Sequence, residues 1–127
     1  MLRDRDAVAN LAVKDLKSAK QFYEGTLGFQ PAGAQGEELV AYRSGNSTFN
    51  VYRSKEAGTN KATALTFDVD DIGAEARELK DKGVFFEEYD MPGLEKQGDL
   101  YVAQGMKTAW FKDPDGNILS LFEGDSE

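Results

Sequence analysis

Val13-Lys14-Asp15-Leu16 and, in the second half of the chain, Val69-Asp70-Asp71-Ile72 decide how this sequence folds. Each ends a run of alternating small and apolar residues, the pattern of a strand with one face on a core. Each then offers an Asp that can cap a helix, Asp15 and Asp71. After Asp15, apolar residues recur at helical spacing as Leu16, Ala19, Tyr23 and Leu27, with Phe22 beside them, and Gly28 stops the helix. After Asp71 the stripe is Ile72, Ala76 and Leu79, ended by Gly83.

Downstream of each helix the order continues in parallel. Phe29 opens a short strand, Gly33 and Gly36 mark a turn, and 39–43 and 48–52 read as a hairpin across Ser44-Gly45-Asn46-Ser47. In the second half, 84–89 reads as a strand, and 108–112 and 118–122 flank the turn Asp113-Pro114-Asp115-Gly116-Asn117. The order strand–helix–strand–strand–strand therefore occurs twice, the mark of an internal duplication. The expected fold class is α+β. One domain spans 1–127, with a first module at about 7–53, a polar linker at 54–62 and a second module at about 63–123. The Gly-punctuated stretch between Asp90 and Lys107 has no counterpart in the first half. It reads as a site rim or lid, or as a plain solvated loop, with 100–102 as a short strand.

The 127 residues hold one Trp, five Tyr and eight Phe within 40% apolar residues, enough for a core without staples. There is no cysteine and no histidine. That excludes disulfides, thiolate zinc sites, a cysteine nucleophile, a Ser-His-Asp triad and imidazole ligation. A net charge of −8 disfavours nucleic acid and anionic membrane surfaces as partners. No apolar run approaches the ~20 residues of a membrane span. The charged opening Met1-Leu2-Arg3-Asp4-Arg5-Asp6 lacks the apolar stretch of a signal peptide, so the expected location is the cytoplasm.

The arrangement resembles the vicinal oxygen chelate superfamily, which includes glyoxalase I, the bleomycin-resistance proteins and the extradiol dioxygenases. The resemblance is carried by Val13-Lys14-Asp15-Leu16, Ala19, Phe22-Tyr23 and Leu27-Gly28-Phe29, by Phe67-Asp68-Val69-Asp70-Asp71-Ile72, and by Trp110-Phe111-Lys112-Asp113-Pro114-Asp115-Gly116-Asn117. It covers nearly the whole chain and is specific to the superfamily, not to one activity. It implies two paired βαβββ modules whose sheets curl around a cavity, and a homodimer. Metal-using members carry His and Glu on the first and last strands. The positions that match here are Val8, Asn50, Ala64 and Ser120. None is an imidazole or a carboxylate, so no metal and no other cofactor is expected.

Strand alternation groups Val8, Asn10 and Ala12 on one face and Ala64, Thr66 and Asp68 on another, and the family geometry turns both inward. The pocket candidates are Asn10, Asn50, Tyr52, Thr66, Asp68, Trp110, Ser120 and Phe122. The alternative is that these side chains hydrogen-bond one another and leave no room. Asp68 is either an inward carboxylate or a half-exposed one at a strand end. Trp110 and Phe111 face opposite ways, and alternation leaves open which one meets the pocket. Tyr42, Tyr52, Tyr101, Met91 and Met106 are rim candidates. No catalytic residue is assigned. The leading expectation is a metal-independent protein that sequesters a small aromatic or cationic molecule. The alternatives are a glyoxalase-type isomerase, lyase or dioxygenase, and a ligand-free dimerisation module.

Overall fold

A computed structural model describes residues 1–32, 38–90 and 92–124. The first module holds β1 (Ala9–Val13), α1 (Leu16–Lys20), β2 (Leu39–Ser44) and β3 (Ser47–Arg53). The second holds β4 (Thr63–Asp68), α2 (Ile72–Asp81), β5 (Glu95–Gln97), β6 (Leu100–Ala103), β7 (Met106–Lys112) and β8 (Ile118–Glu123). The first sheet runs β1-β3-β2, and the second β4-β8-β7-β6-β5. In each, the first strand lies parallel to the last, β1 beside β3 and β4 beside β8. The α+β duplication thus appears as two sheets of one plan.

Both helices begin as their caps require. The Asp15 carboxylate accepts from the Lys17 N–H at 3.0 Å and from the Ser18 hydroxyl at 2.9 Å, and these bonds hold its carboxyl below the usual range. Asp71 accepts from the Ala74 N–H at 3.1 Å. Past Lys20, the first helix continues to Thr26 in wider turns, with the Leu27 N–H donating to the Phe22 carbonyl at 2.9 Å. Gly28 and Gly83 end the two helices at φ of 84° and 95°, a region that suits glycine.

One side of each sheet faces the helices and forms a shared core. Leu11, Val13, Phe49, Val51, Ala109, Phe111, Leu119 and Leu121 come from the strands, and Leu16, Tyr23, Ile72 and Leu79 from the helical segments. Tyr42, expected at a rim, belongs to this core at 0% exposure. Its register partner Phe49 is on the buried face, and its hydroxyl reaches the Glu24 carboxylate at 2.8 Å. Two expected strands shrink to single bridges, Pro31 with Tyr42 and Phe86 with Phe111. Pro31 has no N–H to continue a ladder. The turn expected at Gly33 and Gly36 lies outside the described residues.

The modules are joined through the turn after β7. Asp113 is 5% exposed and accepts four hydrogen bonds. They come from the Tyr23 hydroxyl at 2.8 Å, the Asn117 side chain at 2.8 Å, and the N–H groups of Asn117 at 2.8 Å and Asp115 at 3.0 Å. Burial is the largest influence on this carboxyl and pushes it up, although the bonds pull the other way. Asn117 also donates to the Ala12 carbonyl of β1 at 2.7 Å, and the Asp115 carboxylate accepts from the Lys14 N–H at 3.0 Å. The linker packs on the same turn. Ala57 is buried, and a side chain at Gly58 (φ 75°) would collide with the Asp115 carbonyl oxygen.

Replacing Asn117 with Ala removes its side-chain bonds to the Ala12 carbonyl and the Asp113 carboxylate and keeps its backbone bonds to Asp113. The variant is expected to lose about 2–4 kcal/mol in denaturant unfolding, more than any surface Asn would cost. A loss under about 0.5 kcal/mol would mean that the turn does not tie the modules together.

Candidate functional site

The faces turned away from the helices carry the candidate residues. On the first sheet, Asn10, Asn50 and Ala41 are register partners, and the Asn50 amide donates to the Asn10 side-chain oxygen at 3.1 Å. Tyr52 pairs in register with Ala12 and Leu39 and is 36% exposed. On the second sheet, Thr66, Ser120 and Trp110 lie side by side across β4, β8 and β7. The Thr66 and Ser120 hydroxyls are 2.6 Å apart. Phe122 lies between Asp68 and Thr108 in the same way. Among the described residues, no hydrogen bond crosses from one row to the other.

Alternation left Trp110 and Phe111 undecided, and the core resolves it. Phe111 is fully buried and packs against the partly buried Phe86 and Phe22, so Trp110 takes the open face. Its indole N–H donates to the Thr63 hydroxyl at 3.1 Å. Tyr89 and Tyr101 flank it at steep angles, with ring centroids 5.5 and 5.3 Å away. The Tyr101 hydroxyl accepts from the Tyr89 backbone N–H at 2.7 Å. The Tyr89 hydroxyl is buried without a hydrogen-bond partner, and burial pushes its pKa up. A cleft of about 360 Å³ opens here, lined by Lys61, Thr63, Tyr89, Asp90, Trp110 and Ile118.

Two placements differ from strict alternation. A bulge sets Thr63 opposite Ile118 and Leu65 opposite Leu119, which leaves Ala64 without a register partner. Thr63, not Ala64, therefore meets Trp110, and its hydroxyl accepts from the indole N–H. Asp68 is exposed at the end of β4 and lines a cleft of about 420 Å³ with Thr66, Thr48 and Ala9, away from Trp110. Tyr101 sits beside Trp110, Met106 is exposed, and Met91 lies outside the described residues. Tyr89 was not a candidate. Its signal, an aromatic at the end of 84–89, was absorbed into an expected strand. The 90–107 stretch supplies β5, β6 and the Tyr101 wall.

A family model described as Glyoxalase/Bleomycin resistance protein/Dioxygenase superfamily matches residues 6–121. The chain belongs to this superfamily. Solved structures of similar fold include a bleomycin-binding protein complexed with bleomycin, at 21% identity and a TM-score of 0.71, covering 95% of this chain and 99% of that one. A glyoxalase family protein from Enterococcus faecalis has 20% identity and a TM-score of 0.72, with coverage of 97% and 100%. TnmS3, an antibiotic binding protein from Streptomyces, has 22% identity and a TM-score of 0.64, with coverage of 95% and 98%. No curated protein matches the chain by sequence.

The four positions that the resemblance implies for metal ligands, Val8, Asn50, Ala64 and Ser120, carry neither a carboxylate nor an imidazole. Val8 is exposed just before β1, and Ala64 sits in the bulge. Asn50 and Ser120 are neutral donors already engaged by Asn10 and Thr66. Among the described residues, no three carboxylates gather within reach of one ion. No described helix is long and apolar enough to cross a membrane.

The Thr66–Ser120 pair gives a direct test of this floor. Ser120 is 3% exposed, so Thr66→Val strands its hydroxyl and is expected to cost about 1–3 kcal/mol. Thr66→Val with Ser120→Ala removes both partners and should recover much of that loss in the same unfolding assay. A double variant as unstable as the sum of the two singles would contradict the pairing.

Proposed function

We propose that this superfamily member binds and sequesters a small organic molecule with a planar aromatic or cationic part, on the open face of the second sheet and without a metal. The observation that carries this reading is the Trp110 cleft. A half-buried indole, fixed by Thr63 and braced by Tyr89 and Tyr101, offers a rigid aromatic wall. Asp90 and Lys61 supply a carboxylate and an ammonium at the cleft lining. The net charge of −8 favours a cation over an anion. The bleomycin complex and the antibiotic-binding neighbour support the same class of ligand.

Catalysis of the glyoxalase type has less support. It requires a metal or a base on the floor. The floor side chains Asn10, Asn50, Thr66 and Ser120 are neutral and bonded in pairs, and Asp68 stands exposed at a strand end.

Trp110 is the sole tryptophan, so its emission reports on the cleft. Titration with planar cationic aromatics is expected to quench or shift it saturably. Ser120→Leu, which crowds the floor beside Trp110, is expected to weaken the response at least roughly tenfold while the protein stays folded. Calorimetry with nickel or zinc is expected to give no tight stoichiometric uptake. Saturable organic binding that leaves both Trp110 emission and the Ser120→Leu variant unaffected would refute the site, and tight metal uptake would refute its metal independence.

The reading extends to assembly. Trp110, Tyr52 and Phe122 stay partly exposed on the open faces, and the edge strands invite pairing. A second copy of the chain is the proposed cover. Sedimentation at high micromolar concentration is expected to give twice the 14.0 kDa of one chain. A clean single-chain species would rule the homodimer out.

A further inference from the structure

We infer that the seam between the two modules is a second ligand site, built for a small ammonium compound with an apolar body. The seam holds two clefts of about 420 and 240 Å³ that share Ser44, Phe67 and Asp68. The smaller one reaches down to Phe111 and Leu121 in the core, so its floor is apolar. Phe29 of the first module stacks on Phe67 of the second, with centroids 5.5 Å apart and planes at 27°. Two aromatic rings from different modules thus form one wall.

The charge in the seam has one sign. Asp68 and Glu75 line the smaller cleft, and no Lys or Arg lines either cleft. Among the described residues, neither carboxylate side chain is engaged in a salt bridge or hydrogen bond. An ammonium group placed beside Asp68 meets a free carboxylate at the border of this aromatic wall. An alkyl or aryl group attached to it then fills the apolar floor. A neutral guest leaves the carboxylates unanswered, and an anion is repelled by them. The site stands apart from the Trp110 cleft, because the two share no lining residue.

Calorimetric titration with hexylammonium, 1-hexanol and hexanoate tests the inference. Hexylammonium is expected to bind, hexanol to bind more weakly, and hexanoate to give no heat. Asp68→Asn is expected to weaken the ammonium roughly fivefold, the scale of one partly exposed ion pair, and Asp68→Asn with Glu75→Gln to weaken it further. Ser44→Phe, which fills the part common to both clefts, is expected to abolish binding. Tyr89→Leu removes one ring of the Trp110 cleft, lines neither seam cleft, and is expected to leave hexylammonium binding unchanged, so failure of that face and failure of the seam are read separately. Four results would each overturn the inference: no heat with hexylammonium, equal affinity for hexylammonium and hexanol, unaltered affinity in Asp68→Asn, or retained binding in Ser44→Phe.

Discussion

A buried carboxylate with four donors sets the relation of the two modules. Asp113 is almost fully removed from water, which is costly for an ionised group unless its oxygens are satisfied. Tyr23, Asn117 and the turn N–H groups satisfy them, and Tyr23 belongs to the other module. Asn117 relays the same cluster to the end of β1. The bonds have direction, so they fix an orientation that apolar contact alone would leave loose. The seam and the open faces follow from this orientation. The Gly58 contact with Asp115 adds the linker to the knot.

Much of the fold is legible because it is written in local signals. The caps Asp15 and Asp71, the stops Gly28 and Gly83 and the stripe Ile72, Ala76, Leu79 all act as their chemistry dictates. What escaped sequence reading depends on distant partners. The segments at Pro31 and Phe86 have strand composition, yet each finds only a single bridge, to Tyr42 and to Phe111. Tyr42 reads equally well as rim or core, and only its pairing with Phe49 decides. The Asp113 turn is recognisable as a turn, but its reach to Tyr23 spans most of the chain.

The site is legible in the same partial way. Period-two alternation groups Asn10, Asn50, Thr66 and Ser120 on the open faces, and it leaves Trp110 to be decided by the burial of Phe111. It also places Ala64 there, because alternation assumes an unbroken ladder, and the bulge substitutes Thr63. The floor groups bond one another in pairs, and a cleft opens beside Trp110. A floor of mutually satisfied neutral groups has little left to offer an ion. In the proposed reading, selectivity comes from the aromatic wall and from shape.

The proposed docking of a small organic molecule against Trp110 is read by following the indole N–H resonance of Trp110 and the backbone amides by NMR while a planar cationic aromatic is added. Saturable shifts centred on the indole and on Thr63, Tyr89 and Tyr101 are expected, with residues of the Asp113 turn unmoved. Saturable binding whose shifts leave Trp110 and these neighbours in place would contradict this docking.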